Sequence, residues 1–156
     1  MRVAVAFDHR GIVLRRRVID ELQAAGYEVV DLGTDQAEPK IDYPDKAREL
    51  GDAIVSGKAE RGVLICSSGV GAAIAACKMR GIRAAICHDV YTAHQGVEHD
   101  DMNVLCLGSE IVGGELAAEL VHTFLRARFD GGERYVRRLR KIEDIEQQQT
   151  AIPTVA

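Results

Sequence analysis

Apolar residues recur along this chain in two rhythms. Short, mostly apolar runs fall at 3–7, 27–32, 62–66, 83–87 and 104–107. Runs of that length bounded by polar or glycine-containing turns predict buried strands. Between them the spacing lengthens to the helical period. Ile12, Leu14, Val18, Ile19 and Leu22 line one face over 12–25, around Arg15-Arg16-Arg17. Ala47, Leu50, Ile54 and Val55 do the same over about 44–56. Further helices are expected over 72–79, 90–96 and 115–128, and a very polar one over 133–149. Gly26, Gly57 and the Gly131-Gly132 pair stand where helices would end.

Five short apolar strands alternating with helices specify βα units and a parallel sheet. Right-handed crossovers then put helices on both faces. The expected architecture is α/β: a three-layer α/β/α sandwich with a five-stranded parallel sheet, Rossmann or flavodoxin-like, in the order 2-1-3-4-5. A single domain is expected over 1–149, ending in a C-terminal helix, with a flexible tail over 150–156.

Composition narrows the class. At 156 residues, 47% hydrophobic and 28% charged, the chain can bury one real core. Aromatics are 4% with no tryptophan, so that core rests on aliphatic side chains. A net charge of −4 argues against a general nucleic-acid binder. The start reaches Asp8 before a signal-peptide apolar region forms, and no apolar run approaches the ~20 residues of a membrane span. The four cysteines, at 66, 77, 87 and 106, show no Cys-x-x-Cys pair. A cytoplasmic protein with reduced thiols is the expectation.

The chemistry concentrates in Ile65-Cys66-Ser67-Ser68-Gly69-Val70-Gly71, where a strand opens through two hydroxyls and two glycines into a helix. Small residues let a ligand approach the backbone, and N–H groups opening a helix stabilise negative charge and favour a thiolate. Cys66 is therefore a candidate nucleophile or base, with a buried structural thiol as the alternative. Ligands bind at the carboxyl edge of such sheets, where the strand order reverses. In the expected order that point lies between strands one and three, which makes Asp8-His9 a neighbour of Cys66. Asp8 would cap the first helix or contact a ligand. His9 would bind an anion or orient a hydroxyl. Val97 to Asn103 reads as a polar loop before strand five, and its His99 is either an acid–base group or a solvated side chain.

Several alternatives fail. A cysteine phosphatase loop requires arginine six positions after the cysteine, and Ala72 stands there. Gly69-Val70-Gly71 lacks the third glycine of a dinucleotide fingerprint. Cys87, His88, His94 and His99 match no zinc-ligand spacing, so neither metal nor cofactor is expected.

Asp8-His9-x-Gly11, Asp42-Tyr43-Pro44, Ile65-Cys66-x-x-Gly69-Val70-Gly71 and His99-x-Asp101-x-Asn103-Val104-Leu105 together resemble the type B ribose-5-phosphate isomerases, a family that includes the galactose-6-phosphate isomerase subunits. The match runs in order over about 1–148. The resemblance implies a metal-free aldose–ketose isomerase of sugar phosphates and a homodimer whose sites draw on both subunits. It implies that His99 assists ring opening and that Cys66 moves a proton between C2 and C1 through a cis-enediolate. Ser67, Ser68, Gly69, Val70 and Gly71 would line the oxyanion site, their backbone amides from Ser68 onward holding the oxygen. Asp8, His9 and Asp100 would contact the substrate, and Arg137 would reach its phosphate from the partner subunit.

The departures are specific. Ser67-Ser68 replace a usual Gly-Thr, and Asp100 replaces a usual asparagine, exchanging a donor and acceptor for an acceptor-only charge. Glu110 and Glu133 stand where the family commonly carries phosphate-holding arginines, with Arg134, Arg138 and Arg140 near Arg137 as compensating cations. Ribose 5-phosphate is the default substrate. A six-carbon or unphosphorylated sugar, or a non-catalytic sugar-phosphate-binding subunit, are the alternatives.

Overall fold

The computed structural model describes residues 1–149, and the tail expected over 150–156 lies outside the described residues. In chain order the elements are β1 (Arg2–Phe7), a 3-10 turn (Gly11–Leu14) running into α1 (Arg15–Ala24), β2 (Glu28–Asp31), α2 (Tyr43–Val55), β3 (Arg61–Cys66), α3 (Val70–Ala76), β4 (Ala84–Ile86), α4 (Val90–Asp100), β5 (Val104–Gly108), α5 (Gly114–Arg126) and α6 (Glu133–Gln149). Every strand pairing is parallel. None of the described helices is long and apolar enough to cross a membrane.

Alternation along the strands builds two cores. Val3, Val5, Phe7, Val63, Ile65, Leu105 and Leu107 face one way, against Val18 and Leu22 of α1, Ala93 and Val97 of α4, and Leu120 and Phe124 of α5. Ala4, Ala6, Leu64, Cys66, Val104 and Cys106 face the other way, against Leu50 of α2 and Ala72 and Ala76 of α3. The second layer is thin because it is made largely of alanines. The three-layer sandwich follows directly from that two-sided burial.

The strand order is β2-β1-β3-β5-β4, so the expected 2-1-3-4-5 is corrected at its last two places. β5 is buried along its whole length, whereas β4 has three residues, each half-buried. The longer, more apolar strand takes the inner position and the short alanine-rich one the edge, where unpaired backbone does least harm. The reversal between β1 and β3 is unaffected, because both remain neighbours across the sheet centre.

A second correction concerns residues 97–100, which belong to α4 and not to a loop. Asp89 caps the helix by accepting the Thr92 N–H, and Val97 is buried in the core. Gly96 does not end the helix. A Cβ there would lie 3.2 Å from the Met102 sulfur, so the glycine makes room for that side chain. The helix stops at Asp101, which turns left-handed at φ 49°.

Gly11 locks the first turn to the sheet. A Cβ at this position would stand 2.1 Å from the Ile65 carbonyl oxygen of β3, and the Asp8 N–H donates to that same oxygen. Gly11→Ala is therefore expected to destabilise the fold by about 3 kcal/mol in urea denaturation, since backbone cannot retreat as a flexible side chain would. Gly113→Ser, at a helix cap with open space around it, is expected to stay within about 0.5 kcal/mol.

Candidate active site

The carboxyl edge of the sheet collects the loops that follow β1, β3 and β5. Cys66 ends β3 and is 3% exposed, on the face covered by α2 and α3. The loop after it turns tightly: Gly69 has φ 81°, and a Cβ there would lie 3.2 Å from the Leu107 carbonyl carbon. That conformation aims the Gly69 N–H at the Cys66 sulfur, 3.1 Å away. The Ser68 hydroxyl accepts the Val70 N–H at 3.3 Å. The following first-turn N–H groups of α3, Gly71 among them, have no intrahelical acceptor. Gly71 makes room for the Tyr43 ring, which a Cβ there would meet at 2.5 Å and push aside. Tyr43 thus covers the nest, and it carried no role in the sequence reading although its Asp42-Tyr43-Pro44 setting was visible.

Asp8 and His9 arrive beside this loop through the β1–β3 pairing. One Asp8 oxygen accepts the N–H groups of Arg10 (2.9 Å) and Gly11 (2.7 Å), so this buried carboxylate does cap the first turn. His9 Nδ1 donates to the Ile41 carbonyl at 3.1 Å, which leaves Nε2 as the ring nitrogen open to a ligand. From the other side, Ser109 and Glu110 donate their N–H groups to the carbonyls of Cys66 and Ser67 at 2.8 and 3.0 Å. The corrected strand order explains this: β5, not β4, lies beside β3.

His88, which the sequence reading did not select, holds the rim. It follows β4, and its Nε2 accepts the Gly108 N–H at 3.1 Å. Gly108 is the register partner of Cys66. Burial holds the His88 imidazole below its ordinary pKa, opposed weakly by Asp89. Burial likewise pushes the Cys106 thiol far up and the Cys87 thiol up, so neither is a ready thiolate. None of the four cysteines is in a disulfide. No group of histidine, cysteine and carboxylate side chains among the described residues suits a metal ion.

His99 lies at the opposite edge. It sits in the last turn of α4, stacked on the buried Tyr135 of α6 with ring centroids 4.4 Å apart. The Gln95 amide donates to its Nδ1 at 2.7 Å, so Nε2 carries the proton toward the Tyr135 hydroxyl 3.0 Å away. Arg134 also lies over the Tyr135 ring, its guanidinium carbon 4.4 Å from the centroid. Asp100 is exposed beside His99, and Arg137 is exposed two residues beyond Tyr135 on α6. Asp101 and Asn103 fasten this edge by binding Arg83. Since β5 has five residues, it separates the two edges by about 13 Å. The structure therefore brings Asp8, His9, Cys66 and Ser67 to Gly71 together, and sets His99 and Asp100 beside Tyr135 in a second group, while Arg137, two residues after Tyr135 on α6, points to a different face of that helix.

The chain matches the ribose/galactose isomerase family model over residues 3–142. It is 40% identical over 148 residues to ribose-5-phosphate isomerase B of Escherichia coli, covering 95% of this chain and 98% of that one. It is 39% identical over 132 residues to D-erythrulose-4-phosphate isomerase of Pectobacterium atrosepticum, covering 85% and 87%. The solved ribose-5-phosphate isomerase B of Clostridium thermocellum superimposes with a TM-score of 0.92 at 44% identity, over 96% of this chain and 99% of that one.

His88 gives a pH dependence of definite sign. Its folded pKa lies below the unfolded one, so the unfolded chain binds the extra proton first. Its contribution is complete above the unfolded value of about 6.5 and is lost progressively as pH falls from there through the lower folded pKa. His88→Gln, which keeps an acceptor but does not titrate, is expected to lose less stability between pH 7.5 and 5 than the parent in urea titrations at the two pH values.

Proposed function

The chain belongs to the ribose/galactose isomerase family and is an aldose–ketose isomerase of sugar phosphates, and from that premise we propose that it interconverts ribose 5-phosphate and ribulose 5-phosphate with Cys66 as general base. The observation that carries this reading is the Cys66 sulfur seated within reach of the Gly69 N–H, beside the open N–H groups that begin α3. A thiolate held there faces a ready-made oxyanion site.

In the forward direction the Cys66 thiolate takes the C2 proton of the open-chain aldose. The C–H electron pair becomes the C1–C2 double bond, and the carbonyl pair moves onto O1. Backbone N–H groups around Ser68 to Gly71 stabilise the developing oxyanion. The O2 proton passes to O1, the Cys66 thiol returns its proton to C1, and O2 becomes the ketose carbonyl. The thiolate is regenerated, so no redox partner is consumed. Asp8 and His9 hold sugar hydroxyls beside the base.

His99 serves ring opening from a second copy of the chain. One chain keeps Cys66 and His99 on opposite edges, so a site containing both requires two chains. A C2 dimer brings the carboxyl edge of one protomer against α4 and α6 of its partner. Exposed apolar side chains support such a contact: Val70 and Ile74 on α3, and Ile142 and Ile145 on α6, where an open groove of about 570 Å³ reaches Asp100. His99, Asp100 and Arg137 then face the substrate of the partner. The Gln95 and Tyr135 contacts fix the orientation of the His99 ring, which on this reading passes a proton between O1 and the ring oxygen.

A second reading keeps the chemistry and changes the sugar. The similarity to an erythrulose-4-phosphate isomerase, together with carboxylates at Glu110 and Glu133, favours it. A purely binding subunit has no use for a buried thiol above an anion nest, and is disfavoured.

Cys66→Ala is expected to reduce exchange of the substrate C2 proton with D2O by about 10³-fold or more, while ligand binding persists. Unaltered exchange in NMR would remove Cys66 as the base. A panel of ribose 5-phosphate, erythrulose 4-phosphate, a six-carbon sugar phosphate and free ribose ranks the substrates. Co-refolding equimolar Cys66→Ala and His99→Asn chains is expected to restore about a quarter of the parent activity, because half of the dimers then carry one intact site. No recovery means that the sites are not shared.

A further inference from the structure

Arg10 and Glu110 form an ion pair across the mouth of the carboxyl-edge site, with Arg10 Nη1 2.5 Å from Glu110 Oε1. Both residues are anchored to the loops that carry the chemistry. The Arg10 N–H is fixed by Asp8, and its carbonyl accepts the Ser109 hydroxyl at 3.0 Å. Glu110 hangs from the Ser67 carbonyl through its own N–H. The two side chains are 59% and 56% exposed, and a pair so open to water adds little stability. Its position is therefore better explained by what it presents to a ligand. Across the loops that follow β1, β3 and β5, Arg10 is also the sole lysine or arginine.

We propose that Arg10 is the phosphate-recognising residue of this chain's own loops, and that Glu110 is its positioning partner. The inference rests on the sugar-phosphate reading above. A phosphate monoester carries close to two negative charges at neutral pH, and the guanidinium fork matches its oxygens in a bidentate manner. Glu110 engages Nη1, so donors on the rest of the fork stay available. Held this way, the guanidinium lies between the Glu110 carboxylate and the incoming dianion. The two like charges are bridged rather than opposed. Glu110 thus acts as an anchor for the cation that reads the phosphate, and selectivity for phosphorylated over free sugars resides in the pair.

The test separates phosphate recognition from catalysis. Arg10→Gln is expected to raise KM for the phosphorylated aldose on the order of ten- to a hundredfold, with kcat changed much less. Competitive inhibition by inorganic phosphate should weaken by a similar factor, while slow turnover of the free sugar stays at the parent level. Glu110→Gln should raise the same KM by a smaller factor. Arg10→Glu should be the most damaged, and adding Glu110→Arg to it should recover much of the phosphate affinity by returning a cation to the same place. Unchanged KM and unchanged phosphate inhibition in Arg10→Gln would overturn the assignment, as would an equal loss on free and phosphorylated sugar. Failure of the exchange experiment with Cys66→Ala bears on the base alone, because phosphate binding by the full chain is read independently by calorimetry.

Discussion

The site depends on one strand pairing, that of β1 with β3. Their parallel register delivers Asp8 and Cys66 to the same edge, and the Ile65 carbonyl receives the Asp8 N–H as the chain leaves the sheet. Gly11 then passes so close to that carbonyl that no side chain is tolerated. A small movement of this turn would displace Asp8 and His9 from the thiol. The carboxylate of Asp8 stabilises the turn through two backbone N–H groups, so this residue shapes the loop that begins at the end of β1. Substitutions of Asp8 will therefore disturb the loop beside Cys66 as well as the stability of the turn.

The division of chemistry between two sheet edges has a simple origin. In a parallel βα fold each helix returns the chain from the carboxyl edge to the amino edge. A residue at the end of a helix therefore lies at the opposite end from one that follows a strand. Cys66 follows β3, and His99 ends α4. Joining them on one substrate takes a second copy, which would also cover the apolar side chains left open on α3 and α6.

Four cysteines invite four different fates, and environment separates them. Cys106 and Cys87 are buried and pushed toward the neutral thiol. Cys77 is exposed and donates to the Ala84 carbonyl. Cys66 alone combines burial with a backbone N–H aimed at its sulfur. The charges at the mouth of the site follow a similar logic. Glu110 in isolation would leave a carboxylate at this edge, but its ion pair with Arg10 balances that charge.

The alternation of apolar runs with helical spacing determined the layered α/β fold, because burial on both faces of a parallel sheet leaves continuous apolar strands that no other class produces as readily. Local chemistry determined the turn at Cys66 to Gly71, since only small residues permit its left-handed step and close approaches. The motifs in register were specific enough to mark the family before any coordinates. Tertiary structure decided what depends on nonlocal competition. Whether β4 or β5 lies beside β3 is a contest between two strands for one inner position, and neither local pattern encodes its outcome. That outcome brought Ser109 and Glu110 to the site. The length of α4 was decided by Met102 packing on Gly96 and by burial of Val97, contacts invisible to local punctuation. The partners of Arg10, His88 and His99 likewise come from distant elements, as side-chain pairs do when the fold, not the sequence, sets their distance.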